Sequence, residues 1–152
     1  MNNIQILIWS IFIITSIINS ILDLKTMHIS LIVNYIGFIL TIIILIFGQK
    51  GYGLLENFIS SCSLCLIFCI VRRLSHNGLG LGDIHYSLYC GFMSSIFVSI
   101  LSALFASLLG IFTFVFIKIF MEEGKLKFLK IPFIPFMFAG TILGNFLGSY
   151  II

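Results

Sequence analysis

Charged side chains make up only 9% of these 152 residues, where a soluble domain carries about 25%. With 61% hydrophobic residues and a mean hydropathy of +1.25, the chain is suited to lipid rather than to water. Eight basic and five acidic residues give a net charge of +3, too little for a basic stripe, which excludes nucleic acid as a partner. The N-terminus has neither the basic n-region nor the small-residue cleavage site of a secretory signal, so residues 1–22 read as a retained first span. Cys62, Cys65, Cys69 and Cys90 all lie in apolar stretches, which excludes a secreted disulfide framework. The first three share one helix face, but no His or carboxylate joins them, so packing rather than metal binding is the expectation. No metal or cofactor is expected.

What is abundant is apolar sequence. A spanning helix needs roughly 20 predominantly apolar residues, and polar punctuation divides the chain into runs at 4–22, 29–47, 54–71, 84–94, 95–120 and 131–152. The stretch 84–120 is too long for one helix across a ~30 Å core, so two spans joined near Ser94 and Ser95 are expected. The pattern predicts an all-α, polytopic bundle of six transmembrane helices with the lipid bilayer as its surroundings. Seven of the eight basic residues, Lys25, Arg72, Arg73, Lys118, Lys125, Lys127 and Lys130, fall in or beside the first, third and fifth connections. Only Lys50 falls in the second. The positive-inside rule then places both termini outside and the connections at 23–28, 72–82 and 121–130 in the cytoplasm.

Aspartate occurs twice, at Asp23 and Asp83, each at the cytoplasmic edge of a predicted helix. Ser16, Asn19 and Asp23 recur at i, i+3 and i+7, a polar stripe that needs a protein interior. Ser87, Cys90 and Ser94 continue a small or polar face below Asp83. If the first and fourth helices are neighbours, these faces bring the carboxylates together at one membrane depth. Two such groups in a poorly solvated place share a proton, the arrangement that lets one activate water while the other polarises a carbonyl. The same placement also suits interfacial caps or an ion relay. Asp83 lies at a helix N-terminus, where a carboxylate is favoured, whereas the dipole disfavours Asp23 at a C-terminal end.

Gly78, Gly80 and Gly82 alternate immediately before Asp83, giving either close main-chain access for an extended peptide or a plain flexible turn. Pro132 and Pro135 interrupt the entry to the last span and leave main-chain groups free there, for strand docking or for an ordinary helix start. Gly140, Gly144 and Gly148 form overlapping G-x-x-x-G units, read as packing within the chain with a homodimer as the alternative. Ser99, Ala103, Ala106 and Gly110 give the fifth helix a similar small face. His28, His76 and His85 flank the site without metal-ligand spacing and read as interfacial polar residues, with tuning of Asp83 by His85, two residues beyond it, as the alternative.

Together these residues resemble the type IV prepilin peptidase family of intramembrane aspartyl proteases, which includes the preflagellin peptidases. The family's D-x-x-x-x-x-I-P segment is matched by Asp23 through Ser30, its G-x-G-D motif by Gly80-Leu81-Gly82-Asp83, and its late P-F-G-P-F segment by Pro132 through Phe136. The resemblance implies that Asp23 and Asp83 are the catalytic pair, with Gly80, Gly82, Pro132 and Pro135 near the substrate main chain. It implies cleavage of the leader of prepilin-like or preflagellin-like proteins at the cytoplasmic face of a prokaryotic inner membrane. The usual substrates carry a short basic leader ending in glycine, then an apolar helix. Residues 1–152 would form one peptidase domain without the N-terminal methyltransferase insertion of many relatives. Ser30, His85 and Ile134 depart from the usual proline, lysine and glycine, which bears on substrate preference. The other classes open to this sequence are a non-catalytic pilus-assembly subunit and a small proton or ion transporter using Asp23 and Asp83 as a relay.

Overall fold

The structure, a computed structural model, describes residues 3–48, 53–76, 78–120 and 131–151. Among these residues six helices follow one another: α1 (Asn3–Thr26), α2 (Leu31–Gly48), α3 (Leu54–Leu74), α4 (Leu81–Phe92), α5 (Ile96–Phe120) and α6 (Ile134–Ile151). Among the described residues there is no strand. The all-α membrane bundle is therefore as the hydropathy pattern predicts. Lys50, Lys125, Lys127 and Lys130, which helped to orient it, lie outside the described residues.

Among the described residues four helices, α1, α2, α3 and α5, are long and apolar enough to cross a bilayer. By contrast α4, with 12 residues, rises about 18 Å and cannot cross a ~30 Å core unaided. It descends from one end of the bundle and stops two turns inside α3, where Ser61 Oγ donates to the Leu88 carbonyl at 2.6 Å. The turn at Ser94 and Ser95 falls where the sequence predicts it, but within the protein. Ser94 is buried and its Oγ accepts from Asn145 Nδ2 of α6 at 2.6 Å. Irregular backbone at that depth is tolerated because protein, not lipid, surrounds it.

Small polar side chains share the interior with apolar ones, and large apolar side chains cover the outside. Ser16, Asn19, Thr41, Ser60, Ser87 and Thr141 are buried, while Ile32, Phe47, Leu108 and Phe112 point outward. Lipid tails are as apolar as leucine, so helices meet through small residues and hydrogen bonds rather than through hydrophobic drive. Ser60 Oγ of α3 donates to Ser99 Oγ of α5 at 3.0 Å, and Thr41 of α2 bonds the Tyr89 hydroxyl of α4 at 2.8 Å. Aromatic rings fill the centre: Phe12 of α1 meets Tyr89 of α4 edge to face, with ring centroids 5.0 Å apart. Through such long side chains α1 and α4 meet across the centre of the bundle, although the backbone of α1 packs on α2 and α6 and that of α4 chiefly on α3.

Gly140, Gly144 and Gly148 face α5 of the same chain, the intramolecular use expected of them. A Cβ on Gly140 would lie 2.5 Å from the Ser102 carbonyl oxygen, and one on Gly148 would lie 2.5 Å from Val98 Cγ2. The surface needed for a glycine-mediated homodimer is thus filled by α5. Of the small residues of α5, Ser102 and Ala106 meet these glycines, Ser99 turns to α3, and Gly110 packs beside Phe133 and Phe136.

The tight crossing generates a graded expectation. Gly140→Ala should cost about 1–3 kcal/mol of overpacking, whereas Gly110→Ala, whose Cβ would sit at an ordinary 3.5 Å from Phe133, should be near neutral. Thermal unfolding of both variants in detergent checks this, and equal effects would contradict the α5–α6 packing.

Candidate active site

Two helix ends create the site. The first helix continues one turn past its apolar run, to Thr26, whose Oγ1 donates to the Leu22 carbonyl at 2.8 Å. Asp23 therefore sits within the last turn of α1 and is 6% exposed. The dipole of its own helix disfavours a carboxylate there. The start of α6 supplies compensation: the Ile134 N–H donates to Asp23 Oδ2 at 3.1 Å. That N–H belongs to the first turn, which has no intrahelical acceptor. The prolines explain the location, since the last helix begins at Ile134 rather than at Ile131. Pro135 occupies its first turn, where a missing donor costs nothing.

Asp83 lies in the first turn of α4, which begins at Leu81, three residues before the apolar run expected from Ile84. It is 9% exposed. Its Oδ2 accepts the Gly80 N–H at 3.1 Å, so the carboxylate caps its own helix. The glycines serve this packing in a way the sequence does not reveal. None of Gly78, Gly80 and Gly82 has positive φ; they supply space instead. A Cβ on Gly80 would come within 3.0 Å of Asp83 Oδ2, and one on Gly82 within 3.1 Å of Ile29 Cγ2.

Asp23 and Asp83 face one cleft with two adjoining lobes. A smaller lobe of about 470 Å³ runs past Met27, His28, Ile29, Leu31, Gly82 and His85 toward α2. A larger lobe of about 790 Å³ runs past Arg72, Gly78, Leu79, Ile131, Pro132 and Phe133. Both aspartates and Gly80 line both lobes. The two carboxylates are near enough for Asp23 to act electrostatically on Asp83. Pro132 lines the larger lobe, while Pro135 lies inside α6 and lines neither.

Arginine plays a larger part than the sequence suggests. Among the described residues the cation acting on Asp83 is Arg72 of α3, which also donates to the Leu79 carbonyl and so fixes the glycine-rich segment. His85 is held away from Asp83 by α2: its Nδ1 bonds the Tyr35 hydroxyl at 2.7 Å, and its carbonyl accepts from Asn34 Nδ2 at 3.1 Å. His28 lines both lobes and acts on Asp23, whereas His76 is exposed and lines neither. Asn19, part of the polar stripe, accepts the Ser30 N–H at 3.2 Å and holds the α1–α2 turn against the cleft. Cys62 and Cys69 are exposed on α3, outside the cleft. Among the described residues no three His, Cys, Asp or Glu side chains converge as metal ligands would.

No curated protein and no solved structure matches the chain significantly. A family model described as the type IV leader peptidase family matches residues 10–115. That stretch includes both aspartates, the Gly80–Asp83 segment and Arg72, and it ends before Pro132. It covers well over half of the sequence, and so the chain belongs to the type IV leader peptidase family.

Proposed function

We propose that this protein is an aspartic endopeptidase in which Asp23 and Asp83 are the catalytic pair, and that it removes the leader from prepilin-like or preflagellin-like membrane proteins. The observation that carries the reading is that carboxylates from α1 and α4, each held by a main-chain N–H, open onto one cleft. Burial and mutual repulsion disfavour a doubly ionised pair, so the pair holds one proton between pH extremes. In the proposed reaction the ionised aspartate takes a proton from water as its oxygen adds to the scissile carbonyl. The protonated aspartate hydrogen-bonds the carbonyl oxygen. Collapse of the tetrahedral intermediate breaks the C–N bond, and an aspartate returns a proton to the leaving amine.

The orientation follows from charge. Lys25, Arg72 and Arg73 gather at the cleft end of α1 and α3, so the positive-inside rule puts the cleft at the cytoplasmic face of a prokaryotic inner membrane and both termini outside. A scissile bond at the edge of a transmembrane segment would then lie level with the two aspartates. A relay that moves ions across the bilayer needs acids deep within the bundle. Here both sit at helix ends.

Asp23→Asn and Asp83→Asn should each reduce cleavage of a prepilin-like substrate in membranes by about 10³-fold or more, while the protein remains inserted. Retention of activity by either variant removes the paired-acid mechanism. The wild-type rate should rise and fall again with pH, because one aspartate must be ionised and the other protonated. A rate that climbs to a plateau without a descending limb speaks against proton sharing.

A further inference from the structure

The larger lobe of the aspartate cleft does not end at its own walls. Leu79, from the glycine-rich segment, and Phe133, from the entry to α6, line it and also line a separate apolar cavity of about 200 Å³ between α3 and α5. Arg72 fixes Leu79 by donating to its carbonyl, and Phe133 packs on Phe68 of α3 with ring centroids 6.1 Å apart. These two side chains therefore form a threshold between the carboxylates and the cavity.

Beyond the threshold the cavity descends along the bundle. Ile67 and Val71 of α3 form one wall, and Ile100, Ala103 and Ser107 of α5 the other. Val71, Ile100 and Ser107 are exposed, so the cavity opens sideways as a groove. Ala103 and Ser107 are four residues apart and present a small-x-x-x-small face, the surface that lets a second helix approach closely in a membrane. The equivalent face of α5, at Ser102 and Ala106, is already filled by the glycines of α6. The groove face is not. The other lobe of the cleft, backed by α2, is lined by Ile29, Leu31 and Leu81 as well as His85, but no pair of small residues at the four-residue spacing of a helix-docking face lines it.

We infer that the α3–α5 groove is the docking site for the apolar transmembrane helix of the substrate, entering beside Leu79 and Phe133 so that the bond at its cytoplasmic end reaches Asp23 and Asp83. This rests on the proposed peptidase function and specifies which side of the carboxylates the apolar half of the substrate occupies. Helix docking in lipid depends on close fit rather than on hydrophobic drive. A bulky side chain on the groove floor should therefore act on helix-bearing substrate alone.

The test compares two substrates: a full-length membrane-inserted prepilin-like protein, and a water-soluble peptide spanning the same cleavage site without the apolar helix. Ser107→Phe, at an exposed position that leaves the bundle's interior packing intact, and Ala103→Phe should lower kcat/KM for the full-length substrate by about tenfold or more. The peptide should be cleaved at the wild-type rate. As a second readout, a benzophenone in the substrate's helix should crosslink to α3 or α5 of the Asp83→Asn variant. Unchanged cleavage of both substrates, equal losses on both, or crosslinks confined to α1 and α2 would overturn the docking site while leaving the peptidase function standing. A wild-type protein that cleaves neither substrate would instead overturn the proposed function itself.

Discussion

The arrangement depends on the hydrogen bond from the Ile134 N–H to Asp23, a contact across 111 positions of sequence. A bilayer offers no water to satisfy an unpaired main-chain donor or a buried carboxylate, and each left alone costs several kcal/mol. Here one deficit answers the other. The open N-terminus of α6 supplies a donor and the positive end of a dipole to a carboxylate that the end of α1 disfavours. Asp83 is treated alike on a smaller scale, by the N–H of Gly80 at the start of its own helix. Among the described residues both acids are thus buried without a counterion bonded to them, which on the proposed function leaves their protons available for chemistry.

The short fourth helix is the second element of the design. Because α4 stops partway through the bundle and turns within protein, α5 returns against α3 and α6 at once, with its small residues apportioned between them. The crossing with α6 is closed by glycine; the crossing with α3 leaves a groove that meets the aspartate cleft at Leu79 and Phe133. Tight packing on one side and open packing on the other come from the same helix. On this view the proposed peptidase site and its proposed substrate track are consequences of one packing solution.

Much of this was legible in the sequence because the bilayer imposes so strong a pattern. Long apolar runs mark α1, α2, α3 and α5. The recurrence of Ser16, Asn19 and Asp23, and of Ser87, Cys90 and Ser94, marks faces that turned out to be buried. The break at Ser94 and Ser95 followed from length alone. Helix ends were less legible, since hydropathy reports the apolar edge rather than the last hydrogen bond: α1 continues to Thr26 and α4 begins at Leu81. The partners of the aspartates were not legible at all. A main-chain donor such as that of Ile134 carries no signature in side-chain identity, and Arg72 looked like an ordinary orientation signal until the fold brought it beside Asp83. The glycines before Asp83 suggested main-chain access for a peptide or a flexible turn; that Gly80 makes room for a carboxylate and Gly82 for Ile29 had no signature in the sequence.

The central claim is that the two aspartates act as one titrating unit. Because the chain contains two aspartates, labelling their side-chain carboxyl carbons with ¹³C gives two resonances whose pH dependence can be followed in membranes. The account predicts that both resonances titrate together in two steps, and that Asp23→Asn or Asp83→Asn leaves a single resonance with a single step. Two resonances that titrate independently in the wild-type protein, each unaffected by substitution of the other residue, would contradict it.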